Sequence, residues 1–247
     1  MAEIIRFDES ALRIDGPVAE FAHQRPQQRN AMSMMLREDY ARMIDRVARD
    51  LSIRTLILTG EGGSFCSGGD VRGMKERLAN PDPALNSPDA TRRRLEDSHR
   101  WLTQLHELDV PVIAAVDGGA YGAGFALALQ ADFVLASDRA VFAMAFARMG
   151  AVPDYGALHT LPRIVGLANA KDLMLTGRRV EAGEGKALGV VHAIHAPEAL
   201  LPAARAFALK LAQGPREAAA MTKKLLNRSF ETDYAAMCTF EAYGQGV

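Results

Sequence analysis

Three apolar runs without polar alternation constrain this chain most: Thr55-Leu56-Ile57-Leu58-Thr59, Val112-Ile113-Ala114-Ala115-Val116 and Phe133-Val134-Leu135-Ala136. Successive side chains of a strand point to opposite faces, so an all-apolar strand needs cover on both sides. Joined by stretches of helical spacing, such strands belong to a parallel α/β sheet. A chain of 247 residues makes one large domain or two small ones and can bury a sizeable core.

Before the first run, Ile4–Phe7, Leu12–Ile14 and Val18–Phe21 read as short strands separated by Asp-Glu-Ser and Asp-Gly-Pro turns. Ser33 is placed to cap a helix through about Asp50, with Leu36, Tyr40, Met43, Ile44 and Val47 on one face. A further apolar helix follows from about Ala123 to Gln130. Beyond Gly156 the chain is mostly helical, over Gly156–Val165, Ala168–Leu175, Glu181–Leu188, Glu198–Gln213 and Pro215–Asn227, and only Val190–Ile194 looks extended. The stretch Arg77–Asp97, with three prolines and the run Arg92-Arg93-Arg94, lacks apolar period until Leu95 and reads as an exposed excursion whose arginines form a solvated face.

With 29 Lys+Arg against 30 Asp+Glu, no global field favours a nucleic acid or an anionic membrane, so neither partner is expected. Cys66 and Cys238 have no second Cys or His at metal-ligand spacing, and His192 and His195 would face opposite sides of their strand. Reduced thiols and no metal site are expected. The N-terminal residues carry no basic segment followed by an apolar one, and no run of about 18 apolar residues occurs, which makes the cytoplasm the default location.

Two glycine-bearing turns follow strands and precede helices: Gly62–Val71 (Gly-Gly-Ser-Phe-Cys-Ser-Gly-Gly-Asp-Val) and Asp117–Ala126 (Asp-Gly-Gly-Ala-Tyr-Gly-Ala-Gly-Phe-Ala). Glycine lets a backbone adopt unusual dihedrals and lets N–H groups approach a ligand, and a helix N-terminus adds partial positive charge. Two such turns can aim two amides at one oxygen. The same glycines would equally serve tight turns and close helix–sheet packing. A dinucleotide fingerprint is rejected, because Gly122-Ala123-Gly124 lacks the third glycine.

Together with Arg25-Pro26, Arg29-Asn30-Ala31-Met32-Ser33, Ala131-Asp132, Leu161–Gly166 and Ala187–Val191, these turns resemble the crotonase, or enoyl-CoA hydratase/isomerase, superfamily over nearly the whole chain. The resemblance implies a spiral of repeated ββα units with a C-terminal helical layer, divided into an α/β core over residues 1–195 and a helical trimerisation region over residues 196–247. It implies an acyl-CoA thioester as substrate, no cofactor besides the coenzyme A of that substrate, and a homotrimer or dimer of trimers. The N–H groups of Gly69 and Ala123 match the oxyanion-hole donors of the family, with Gly122 beside them. The backbone of Cys66, Ser67 and Gly68 matches the adenine site, and Arg29 the position that meets phosphates. Asp70 matches a common acidic position but suits a helix cap or an ion pair.

A hydratase of this family positions water with two glutamates, whose positions here hold Ala126 and Phe146. The remaining carboxylate is Asp154, in Val152-Pro153-Asp154-Tyr155-Gly156, which matches the proton-transferring aspartate of isomerases, most nearly in the pattern of ring-1,2-epoxyphenylacetyl-CoA isomerases. Flanking Val152, Pro153 and Tyr155 would raise its pKa by partial burial. Asp154 also stands where it would cap the following helix. Phe146, Met144, Phe125 and Met149 are candidates for an apolar acyl pocket or for core, and Tyr155 for a pocket wall. The expected activity is an acyl-CoA isomerase. The alternatives are an acyl-CoA hydrolase or dehalogenase using Asp154 as nucleophile, a hydratase, and a non-catalytic acyl-CoA- or RNA-binding relative.

Overall fold

The computed structural model describes residues 2–246. In chain order its elements are β1 (Glu3–Arg6), β2 (Ser10–Asp15), β3 (Val18–His23), α1 (Met34–Arg49), β4 (Thr55–Gly60), α2 (Val71–Leu78), α3 (Pro83–Asn86), α4 (Pro88–His106), β5 (Val112–Val116), β6 (Gly119–Tyr121), α5 (Ala123–Ala128), β7 (Phe133–Ser137) and β8 (Val141–Ala143). There follow α6 (Ala157–Thr176), β9 (Val180–Glu181), α7 (Ala182–Ala187), β10 (Ala193–His195), α8 (Pro197–Leu211), α9 (Arg216–Asn227) and α10 (Tyr234–Gly244).

A sheet ordered β1-β2-β3-β4-β5-β7-β10 forms the centre, antiparallel across β1-β2-β3 and parallel from β3 onward. The three apolar runs are its neighbouring strands β4, β5 and β7, and β5 is buried at every position. Leu56, Leu58, Val112 and Ala114 face the main core with α1 and α4, while Ile57, Ile113, Ala115 and Leu135 face Leu200, Ala204 and Ala208 of α8. Each fully buried leucine, isoleucine or valine contributes about 1.5–3 kcal/mol, which is why unalternating strands settle between two helical layers. A second sheet, β6-β8-β9, lies beside the first at the ends of its strands.

Ser33 caps α1 as expected, its hydroxyl accepting from the Leu36 N–H at 3.0 Å, and the five anticipated apolar residues are buried. The stretch read as an exposed excursion is exposed or half-buried at every position whose burial is described, and it is largely helical, comprising the end of α2, α3 and the first half of α4. Its signal was the cap: Ser87 accepts from the Ala90 N–H at 3.1 Å, Pro88 occupies the first turn and Asp89 follows. The apolar period is missing because only the later half of α4, with Trp101, Leu102 and Leu105, enters the core. The extended segment also lies later than expected, at Ala193–His195, because Val190 and Val191 are drawn into a buried turn by N–H bonds to Gly185 O. Strands β6, β8 and β9, of two or three residues, and α10 carry too little periodicity to be read beforehand.

At the end of β3, His23 is wholly buried. It donates from Nδ1 to Phe65 O at 3.0 Å and accepts at Nε2 from the Tyr40 hydroxyl at 2.6 Å. Both ring nitrogens are thus satisfied in the neutral form, and burial lowers the pKa to about 4. The unfolded chain therefore binds a proton first on acidification. Stability from this group is complete above pH 6.5 and is lost as pH falls towards about 4, by about 3 kcal/mol. Denaturant titrations between pH 7 and pH 4 should show this loss, and His23→Gln should flatten it.

Candidate active site

Two strand-to-helix turns are joined side by side. Cys66 N–H donates to Gly119 O and Tyr121 N–H to Cys66 O, both at 3.0 Å, a bridge between the first turn and β6. Glycine is required at this seam: a Cβ on Gly124 would lie 2.2 Å from Cys66 O, and one on Gly68, at φ +96°, 2.7 Å from Tyr121 O and 3.8 Å from Ala123 N. Met32 runs along the other edge of the first turn, donating to Gly68 O at 2.8 Å and accepting from Asp70 N–H. This ladder passes over the Gly69 N–H, which finds no acceptor among the described residues; neither does the Ala123 N–H, the first amide of α5. Gly122 precedes it at φ 51° and ψ −118°, where an added Cβ would meet only the Phe146 ring, at 3.8 Å.

The first turn is clamped from beneath by Asn30, buried and itself at φ 54°. Its Nδ2 donates to Glu61 O at 2.9 Å and Ser64 O at 2.6 Å, and its Oδ1 accepts from Arg25 N–H at 2.9 Å. Asn30→Ala strands these buried partners and should destabilise the protein by about 2–3 kcal/mol in denaturant unfolding. Arg25 is tied to Glu9 at 3.0 Å, Asp70 at 3.3 Å and Ala31 O at 2.9 Å. Asp70 caps α2 through the Gly73 N–H, the cap and ion-pair roles expected for it.

Asp154 stands on the loop before α6, in the wall of a 660 Å³ cavity that also takes in His99, Leu102, Pro153, Tyr155 and His159. Its Oδ1 is buried and accepts no hydrogen bond among the described residues. Burial raises its pKa above the ordinary carboxylate value, and the charges of Arg37 and His99 pull it back in part. The capping alternative is not what the side chain does: α6 starts at Gly156 without a side-chain cap. Tyr155 sits at φ 55°, buried, with its carbonyl accepting from Gln130 Nε2 at 2.8 Å.

Two rigid connections hold the Asp154 loop relative to the paired turns. Gln130 lies just past the end of α5, whose other end is Ala123. The second is aromatic: the hydroxyl of Tyr40 holds His23, which holds Phe65 O; Tyr40 stacks on Trp101 at 4.8 Å, and Trp101 meets Tyr155 edge-on at 5.7 Å. His23, Trp101 and Gln130 escaped the sequence reading, and Tyr40 is legible only as a core residue of α1, because the four lie far apart along the chain and nothing local signals that they meet.

The description "Enoyl-CoA hydratase/isomerase" fits residues 13–245, nearly the whole chain, as a family model. This chain belongs to the enoyl-CoA hydratase/isomerase family. It is 35% identical to the 1,2-epoxyphenylacetyl-CoA isomerase of Escherichia coli K12, over 85% of this chain and 78% of that one. An enoyl-CoA hydratase/isomerase from Cupriavidus metallidurans CH34 superposes with a TM-score of 0.91 at 40% identity, covering 98% of this chain and 88% of the other. A Thermobifida fusca YX protein of the enoyl-CoA hydratase type, solved in complex with acetoacetyl-CoA, superposes with a TM-score of 0.88 at 32% identity, covering 96% and 93%. The expected α/β spiral is therefore the fold of this chain.

Among the family's expected positions, Arg29 is exposed at φ 50°, its carbonyl accepting from Ser67 N–H at 3.0 Å, and it pairs with no carboxylate among the described residues. Ser67 is half-buried beside it. Cys66 is buried, its N–H and carbonyl both taken up by the seam and its thiol pushed up to about 11 by burial. Ala126 is buried inside α5, and Phe146 stands against Gly122 rather than in the Asp154 cavity. Of the other apolar candidates, Phe125 and Met144 belong to the core and Met149 is 63% exposed, so none of the three lines that cavity. Of the three residues expected to bury Asp154, Val152 is itself 76% exposed, Pro153 is half-buried and Tyr155 is buried. Among the described residues no group of three or more His, Cys, Asp or Glu is placed to hold a metal ion, and no helix is long and apolar enough to cross a membrane.

Proposed function

We propose that this member of the family is an acyl-CoA isomerase that moves a double bond, or opens a strained ring, by proton transfer through Asp154. The observation that carries the reading is a half-buried carboxyl in a cavity wall with one buried, unbonded oxygen, while the two positions a hydratase fills with glutamates hold Ala126 and Phe146. An alanine and a phenylalanine transfer no proton to or from water. One carboxyl suffices for isomerisation, which removes a proton at one carbon and returns it at another.

In this mechanism the thioester oxygen accepts from the N–H groups of Gly69 and Ala123. Ionised Asp154 takes a proton from the acyl chain, the electron pair moves into the carbonyl, and the enolate oxygen is held by the two amides. Each preorganised donor is worth roughly 3 kcal/mol at that stage. Asp154, now protonated, returns the proton two carbons further along, and the carbonyl re-forms with the double bond in conjugation. The substrate's coenzyme A would run past Ser67, Gly68 and Arg29. We place the trimer contact on the C-terminal helices from residue 196 onward. No group beyond the acyl-CoA is needed for the steps above.

The test is a screen of 3-enoyl-CoA thioesters in deuterated water, following conversion to the 2-enoyl isomer and deuterium uptake. Isomerisation with exchange supports the reading. Oxygen-18 entering the Asp154 carboxylate during turnover would instead establish a covalent ester and a hydrolase.

A further inference from the structure

Helices α1, α2 and α4 carry ten arginines, and three of them behave unlike the rest. Arg42, Arg46, Arg49, Arg72, Arg92, Arg93 and Arg100 each pair with a carboxylate. Arg37, Arg77 and Arg94, one from each helix and all half-buried, pair with none among the described residues. The helices that carry them are tied together: Arg37 Nη1 donates to Ser98 Oγ at 3.2 Å, and Ser98 Oγ donates to the main-chain oxygen of Arg94 at 3.1 Å. Arg94 Nη1 donates to Leu85 O at 2.7 Å, and the next residue, Asn86, donates from Nδ2 to Arg77 O at 3.0 Å.

The cluster is costly as it stands. The Nε atoms of Arg37 and Arg77 are buried without an acceptor, and Arg94 is held below its ordinary pKa by burial and by the other two guanidinium groups. Like charges gathered in a partly dry place call for an anion. The cluster borders the proposed acyl cavity: Arg37 Cζ lies 5.8 Å from the Tyr155 ring centre, and Leu95 and His99, which flank Arg94 and Ser98 on α4, line that cavity. Asp154 forms no ion pair with it, since no arginine approaches its carboxylate within 4.0 Å among the described residues, although Arg37 is near enough for its charge to lower the Asp154 pKa.

We propose that Arg37, Arg77 and Arg94 receive a carboxylate at the far end of the acyl chain, so that the preferred substrates are ω-carboxyacyl-CoA thioesters. Planar guanidinium forks match a carboxylate with paired, charge-assisted hydrogen bonds. The inference rests on the reading that the acyl group enters the Asp154 cavity. It adds a cationic terminus to a pocket whose wall mixes apolar Leu95, Leu102 and Leu158 with polar His99, Gln130 and His159.

Equilibrium binding of two saturated thioesters of equal length, adipoyl-CoA and hexanoyl-CoA, tests it on the intact protein by calorimetry. Neither isomerises, so the comparison is independent of proton transfer. Adipoyl-CoA should bind about ten-fold tighter, and the preference should fall to within about two-fold in an Arg77→Gln/Arg94→Gln variant and be weakened by salt. Single Arg77→Gln and Arg94→Gln variants should fall between. Equal or tighter binding of hexanoyl-CoA by the wild type, or a preference that survives in the folded double variant, overturns the proposal while leaving the isomerase reading intact. Failure of both thioesters to bind overturns the acyl-CoA site itself, and the proposal with it.

Discussion

Asp154→Asn should lower isomerisation and solvent-deuterium exchange by about 10²–10⁴-fold while changing acyl-CoA affinity little. The amide keeps the size and burial of the carboxyl but cannot accept a proton from carbon. The same substitution should raise thermal stability at neutral pH. Burial raises the folded-state pKa of Asp154, so this group's contribution to stability is complete at low pH and is lost as pH rises through that raised value. Asparagine has no charge to desolvate, and its advantage should vanish in acid. In the wild type, kcat should rise with pH through the raised Asp154 pKa, because the ionised form is the base; the variant's residual rate should lack that limb. Loss of activity together with gain of stability separates this account from one in which Asp154 merely supports the loop. An unimpaired variant would remove Asp154 from the chemistry.

The second large effect belongs to a residue with no functional atom. Gly124→Ala places a methyl group where Cys66 O would lie 2.2 Å away and Cys66 Cβ 2.8 Å away. Both neighbours belong to the seam, so the two turns must part. Overpacking of this kind costs about 1–3 kcal/mol in stability. The larger consequence falls on rate: if the Gly69 and Ala123 amides act on one oxygen, misplacing one should reduce kcat about 10²–10³-fold with a smaller change in KM. Gly183→Ala, at an exposed position of α7 where an added methyl meets nothing within 4 Å, controls for the loss of a glycine as such. Steady-state kinetics on both variants, beside their unfolding curves, make the comparison. A Gly124→Ala enzyme that turns over like Gly183→Ala would show that the seam does not position the donors.

Much of this molecule was legible from residue order. The unalternating strands β4, β5 and β7 announced a sheet covered on both faces, since no other environment suits Ile57 and Leu58 together. Ser33 and its helix followed from a cap and a period. The two glycine turns were legible as strand-to-helix junctions, but their joining was not, because the bonds between Cys66, Gly119 and Tyr121 are long-range and main-chain. The clamp by Asn30 and the path through His23, Tyr40, Trp101 and Tyr155 were hidden because their side-chain contacts join residues far apart along the chain. The stretch around α3 and α4 misled because its outer turns are polar, and apolar period is silent where a helix meets solvent. Arg94 shows the finer limit: it shares a run with Arg92 and Arg93, yet only those two pair with carboxylates on the surface, while the Arg94 guanidinium donates to Leu85 O and Thr91 Oγ1.

A crystal structure with an unreactive acyl-CoA bound bears most directly on the whole account. It should place the thioester oxygen within about 3 Å of both the Gly69 and Ala123 nitrogens, with an Asp154 oxygen within about 3.5 Å of a carbon next to the carbonyl or two further along. A thioester oxygen held elsewhere, or an Asp154 carboxyl separated from the acyl chain by protein, would contradict it.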